Sequence, residues 1–190
     1  MKLLLSVVAV SLLAAGPGFA VVVISEILAD PAKEMAGDAN SDGLRSSAED
    51  EFVELQNAGS EPVDVSSWQL QDSKKVRHVF PENTIIKPQG YIAVFGGSQE
   101  ELRNPNWQAA SSGSLGLDNE GDTVMLLDAN SAIIDRVEYT SAGAKDQSLV
   151  IERQGGEKMA VLHSTLTESA GALFSPGKPT AEGLVQKVHK

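Results

Sequence analysis

The chain has 190 residues, no cysteine, 26 acidic against 15 basic side chains and a formal net charge of −11. That length fits one domain with a core large enough to stand without covalent staples. The acidic surface repels phosphate backbones and disfavours a nucleic-acid partner; the absence of thiols excludes disulfides, thiol chemistry and a thiol-linked lipid anchor.

The chain opens with Lys2, the apolar run LLLSVVAVSLLAA and then GPGFA. That order is a secretory signal, with small residues at Gly18 and Ala20 for cleavage after Ala20. An uncleaved anchor running on into VVVI is disfavoured, because Gly16-Pro17-Gly18 breaks a continuous spanning helix. Residues 1–20 are expected to be a signal peptide, and the protein secreted, periplasmic or at the cell surface, with no membrane span after signal cleavage. Cleavage removes Lys2 and no acid, so the charge moves from −11 to −12.

Strand signals follow in chain order. VVVISEIL (21–28) is β-branched and apolar, and EFVELQN (51–57) has strand composition. In EPVDVSSWQLQD (61–72), Val63 and Val65, then Trp68 and Leu70, alternate with polar neighbours. VRHVF (76–80), NTIIKP (83–88) and YIAVF (91–95) are separated by Pro and Gly, and DTVMLLD (122–128), AIIDRVEY (132–139) and SLVIER (148–153) come after. Many short strands spaced by turns predict an antiparallel sandwich or barrel rather than βαβ units. Two stretches break the rhythm. Residues 29–50 form a long connection without hydrophobic period, usually a sign of function or a bound ion. Residues 98–114 are polar and are expected to hold one short helical turn and a loop. One domain is expected over 21–174, with an exposed tail over 175–190.

Laid out in this order, VISEIL, DEFVELQNAGSEPVDVSSWQLQD (50–72), FPENTIIKPQGYIAVF (80–95), LDNEGDTVMLLDANSAIIDRVEY (117–139) and LFSPGKP (173–179) resemble the lamin-tail domain family, specifically its exported bacterial members. The resemblance implies an all-β, immunoglobulin-like antiparallel β-sandwich and an interaction or structural module rather than an enzyme. The residues explain themselves as fold makers. Phe52, Val53 and Leu55 supply a strand, and Trp68 and Leu70, two apart, face one way into the core.

The acidic stretch DANSDGLRSSAEDEFVE (38–54) fits the calcium-loop pattern D-x-[DN]-x-[DN]-G-x5-E. Calcium takes six to eight oxygen ligands, and alternate oxygen side chains can curl around it while Gly43 allows the bend. Asp38, Asn40 and Asp42 would supply side-chain oxygens, Leu44 a carbonyl, Ser46 a water-mediated contact and Glu49 a bidentate carboxylate; Asp50 and Glu51 are spare candidates. Arg45 departs from the pattern, standing where paired helix-loop-helix sites carry an apolar residue. Pro31 and Gly37 spoil a helix before the loop, so it reads as a lone calcium-type loop between strands. The competing reading is a solvated turn rich in Asp and Asn. At tenfold over Kd, calcium would add about 1.4 kcal/mol.

Catalytic patterns are weak. Glu51 and Glu54, three apart on a strand, face opposite sides and cannot form a joint acid–base pair. His78, His163 and His189 lack zinc-protease spacing, and GSLG (113–116) lacks the frame of a nucleophile elbow. His78 reads as a strand residue facing water. Trp107 reads as a loop residue folded back onto the sandwich or, less favoured, as an exposed contact. The sequence therefore reads as an exported non-catalytic module that binds one calcium ion and a protein or cell-surface component. The alternatives are an accessory module assisting a secreted hydrolase or nuclease, and a structural envelope component.

Overall fold

A computed structural model describes residues 21–98, 101–140, 145–154 and 156–180. The expected signal peptide (1–20) and the last ten residues of the expected tail lie outside the described residues. Twelve strands are present among the described residues: β1 Val22–Leu28, β2 Phe52–Asn57, β3 Val63–Asp64, β4 Gln69–Gln71, β5 Val76–Val79, β6 Ile85–Ile86, β7 Tyr91–Phe95, β8 Trp107–Ala109, β9 Gly121–Leu127, β10 Ile133–Thr140, β11 Leu149–Gln154 and β12 Glu157–Leu162. They form a six-stranded sheet (β12-β11-β1-β2-β7-β8), a four-stranded sheet (β10-β9-β4-β5) and a small β3-β6 pair. All neighbours are antiparallel except β7 and β8.

Period-two alternation builds the sandwich. On β9, Asp122, Val124 and Leu126 are buried while their neighbours are half-buried; on β10, Asp135, Val137 and Tyr139 are buried. They meet Ile24, Val53, Leu55, Ile92 and Val94 of the larger sheet, and Leu70 joins them with Trp68 packed alongside. Each aliphatic side chain among them, fully buried, contributes about 1.5–3 kcal/mol of hydrophobic stabilisation. The two sheets are tied at one side by Asp135, which accepts the Ile24 amide at 2.8 Å and pairs with Arg153 at 2.6 Å and Lys158 at 2.5 Å.

The six-stranded sheet is covered on its other face too. Leu28, Ala39, Phe52, Ala93, Phe95 and Phe174 make a second core under Leu102, Trp107 and Leu173. Phe52 stands 5.4 Å from Phe95 and 6.5 Å from Phe174, ring centre to ring centre. The structure departs from the sequence reading at three places, the first two of them on this face. The described part of 98–114 contains β8 instead of a helical turn, while Trp107 lies back against Phe95 at 5.0 Å, the favoured of its two readings. The tail is not exposed from Ser175 onward: Ser175 is fully buried, because residues 172–178 strap this face. β12 is an added edge strand whose mixed residues gave no alternation. His78 also departs from expectation: it is buried, with Nε2 2.7 Å from Gln108 Oε1 and Nδ1 accepting the Ser111 amide at 3.2 Å. The residues around β8 roof it over, and burial lowers its pKa.

Candidate functional site

The 29–50 connection leaves β1, makes a 3-10 turn at Glu34–Gly37 and reaches the loop that begins at Asp38. There the side-chain oxygens turn inward on the backbone. Asp38 accepts the Asp42 amide at 3.2 Å and the Gly43 amide at 3.1 Å; Asn40 Oδ1 accepts the Asp42 amide at 3.0 Å, and Asp42 Oδ1 the Leu44 amide at 2.9 Å. Gly43 takes a φ of +93°, the bend for which the sequence reserves glycine. Asp38, Asn40 and Asp42 thus curl around one turn in the order the pattern requires.

The remaining candidates do other work. Asp50 is fully buried; its Oδ1 accepts the Ala39 and Asn40 amides at 2.8 and 3.1 Å and its Oδ2 the Ser46 amide at 2.7 Å. It braces the loop from inside. Ser46 Oγ accepts the Glu49 amide at 3.2 Å, capping a single turn rather than a helix. Leu44 is exposed. Glu49 lies against Gly97, whose amide donates to its carbonyl at 3.2 Å. Arg45 donates to the carbonyls of Pro31 and Ala32 at 2.6 and 2.8 Å and closes the connection on itself. Glu51 turns the other way, so the structure does not bring it to the loop: its Oε2 accepts the Leu117 amide at 3.2 Å. Among the described residues, no three or more His, Asp or Glu side chains converge closely enough to hold a metal by themselves. Any ion in the loop would therefore lean on Asp38, Asp42, the Asn40 amide oxygen and backbone carbonyls.

Electrostatically the loop is short of positive charge. Burial raises the Asp38 pKa, opposed chiefly by the Gly43 amide, with Asp42 adding to the rise. Burial pushes Asp50 up to about 6 against the pull of its three amides, with Asp38 adding to the rise. Burial likewise pushes Glu51 up to about 7, moderated by the Leu117 and Gly116 amides and Arg77 and reinforced by Asp122. Close by, Arg77 donates to Asp72 from Nε at 2.8 Å and Nη2 at 2.5 Å. Burial works to raise Asp72, but Arg77 and the Lys74 and Lys75 amides outweigh it and hold the carboxyl below the ordinary range.

Sequence reasoning missed a second polar centre. Glu26 and Glu54, on adjacent strands and nearly inaccessible, face the second core. Glu26 accepts hydrogen bonds from Ser148 and Ser175, and His163 lies beyond Ser175. The available signal was a glutamate inside the mostly apolar VVVISEIL. Its partners, more than a hundred residues away, carried none. As expected, Glu51 and Glu54 serve opposite sides of the sheet.

Two mainly antiparallel sheets packed face to face, with long connections at their ends, define an immunoglobulin-like β-sandwich. The family model described as Lamin Tail Domain matches residues 17–141, well over half of the chain, and the protein belongs to that family. No curated protein matches it. β11, β12 and the strap lie beyond the matched segment.

Proposed function

We propose that the protein is an exported, non-catalytic interaction module that binds a protein or cell-surface partner through the outer face of its four-stranded sheet. One observation carries this reading. Ile133, Leu127, Gln69 and Val79 lie in a single cross-strand row on that face. The row ends in exposed apolar side chains, Ile133 at 59% and Val79 at 44% of full accessibility. Met125 and Val76 pair with Gln71 in a second, half-buried row. Exposed apolar side chains set among glutamines on an otherwise strongly acidic domain favour a contact role. The lamin-tail family, a protein-interaction fold without catalytic chemistry, supports the same reading.

A photo-reactive residue at position 133, compared with one at Glu120 on the exposed turn before β9, tests it in cells that make the chain. A discrete protein adduct from position 133 and none from position 120 is expected; equal yields from both, or none from 133, would overturn the reading. Export has its own check, since cleavage after Ala20 leaves a mature chain starting at Val21, one residue before β1.

The acidic loop adds a second element to the reading: a single calcium ion held by Asp38, Asn40 and Asp42 with help from a carbonyl such as that of Leu44. Its support is the order in which those oxygens curl around Gly43 and the desolvation of Asp38 and Asp50. Extracellular sites with Kd near 10⁻⁴–10⁻³ M are filled or partly filled in their surroundings.

A further inference from the structure

The strap from Ala172 to Lys178 is held by the buried Phe174 ring and the Ser148 amide on the Leu173 carbonyl, and beyond them by two buried carboxyl groups. Ser175 donates its amide to Glu26 Oε1 at 2.9 Å, and Gly177 and Lys178 donate theirs to Glu54 Oε2 at 2.7 and 3.2 Å. Trp107 donates its indole N–H to the Pro176 carbonyl at 3.1 Å. Gly177 is held at φ +75°, where a Cβ would lie 2.6 Å from the Trp107 indole nitrogen, so the strap lies directly on that ring.

Around Glu26 the hydrogens can be counted. His163 Nδ1 is 2.9 Å from the Ala172 carbonyl, which only accepts, so Nδ1 carries a hydrogen. Nε2 is 3.0 Å from Ser175 Oγ, and that hydroxyl is 2.7 Å from Glu26 Oε2. One hydroxyl has one hydrogen. If Ser175 donates to the carboxylate, Nε2 must be protonated to donate to Ser175. If Ser175 donates to Nε2, the carboxyl must be protonated to donate to Ser175. Both arrangements hold one proton more than a carboxylate beside a neutral imidazole. Without it, two lone pairs face each other where Glu26, His163 and Ser175 are at most 1% exposed, and unmet buried polar groups are costly.

We propose that Glu26, Ser175 and His163 hold one shared proton, passed through the Ser175 hydroxyl, and that this proton latches the 172–178 strap onto the sheet. Strap attachment is therefore pH-sensitive. Among the described residues, few groups face this centre. β2 contributes Glu54, whose carboxyl is raised by burial and then by the charge of Glu26. The residue before β11 contributes the Ser148 hydroxyl, 2.5 Å from Glu26 Oε1. β7 and β8 contribute Ala93, Phe95 and Trp107, which do not ionise, and the strap itself brings Lys178. Burial raises the Glu26 pKa against the opposing charge of His163. A carboxyl whose pKa is raised only when the strap is seated favours the seated state at low pH. That preference is lost as pH climbs through the raised value.

Amide hydrogen exchange on the full chain between about pH 6 and pH 9, corrected for intrinsic base catalysis, tests the latch. Protection of the Ser175, Gly177 and Lys178 amides is expected to fall about tenfold or more across that range, while Leu55 and Val94 keep theirs. Glu26→Gln supplies a carboxamide N–H to Ser175 at every pH, and should keep the strap protected with a flat profile. Wild-type protection that does not change with pH, or a Glu26→Gln profile matching wild type, would overturn the proposal. If Glu26→Gln fails to fold, the ring ¹⁵N shifts of His163 in the unaltered chain decide. An Nε2 shift moving with strap protection is expected; one constant over the range refutes the shared proton.

Discussion

The carboxylate of Asp135 accepts the backbone amide of Ile24 across the seam between the two sheets, 2.8 Å from strand to strand. The same carboxylate takes Arg153 and Lys158, so one nearly buried acid joins β10, β1, β11 and β12. The amide, Arg153 and Lys158 outweigh the cost of burial and hold its pKa below the ordinary range. Asp135→Ala orphans the amide and takes from Arg153 and Lys158 their carboxylate, leaving them only backbone carbonyls, at a cost of about 3 kcal/mol. Urea unfolding measures it. Arg136→Ala removes only the exposed pair with Glu138 and should cost less than about 0.5 kcal/mol; equal effects would show that the seam anchor matters no more than a surface pair.

Calcium should raise the melting temperature of the chelator-treated protein, with half the rise reached at sub-millimolar to millimolar concentration. Asp38→Ala should abolish the rise and Glu51→Gln should not, because Glu51 points away from the loop. Calorimetry that detects no calcium-dependent shift, or a shift that survives Asp38→Ala, would leave the loop as a solvated turn.

Glu51 gives the fold a defined pH response. Its pKa of about 7 lies above the ordinary 4.5, so the folded chain holds a proton there that the unfolded chain releases. The stabilising contribution is full below about pH 4.5 and is lost as pH rises toward 7. Its size is on the order of a few kcal/mol. Asp50, pushed up to about 6, acts in the same direction over a lower window. Denaturation midpoints at about pH 5 and pH 7.5 should therefore differ more in wild type than in Glu51→Gln, and an undiminished difference in the variant would locate the response elsewhere.

Gly96, just past β7, is packed so closely that a Cβ there would lie 1.7 Å from the Ala48 carbonyl oxygen. Its amide donates to the Glu51 carbonyl at 2.8 Å. Gly96→Ala must push the 46–50 turn away, at about 1–3 kcal/mol. It should also weaken any calcium response. Gly113→Ala meets open space but carries a φ of +80°, and should cost only about 1 kcal/mol of backbone strain. Thermal unfolding of the two variants separates crowding from strain.

The sandwich was legible because strands such as β9 and β10 alternate between a wet and a dry face, and that pattern is local. β8 and β12 were not: a three-residue parallel strand and an exposed edge strand need no alternation, since neither lies between two buried faces. The spacing placed Asp38, Asn40 and Asp42 together, and their side chains share one turn. It could not separate Asp50 from Glu51, because neighbours on extended backbone point to opposite faces and only the packed sheet decides which loop each meets. Apart from Glu26 itself, the second polar centre was invisible for a topological reason. β1 receives β11 as its neighbour only after the chain has closed both sheets, and the strap arrives later still.

The Lys158 ammonium rests 2.7 Å from the Arg136 carbonyl, and that small contact reaches beyond the single molecule. β10 borders its sheet with eight residues of backbone that could template a neighbour's strand. A cation seated on one of its acceptors interrupts the row. A lysine so placed disfavours edge-to-edge pairing of copies along β10, and a neutral side chain there would remove that safeguard together with one of the two cations on Asp135.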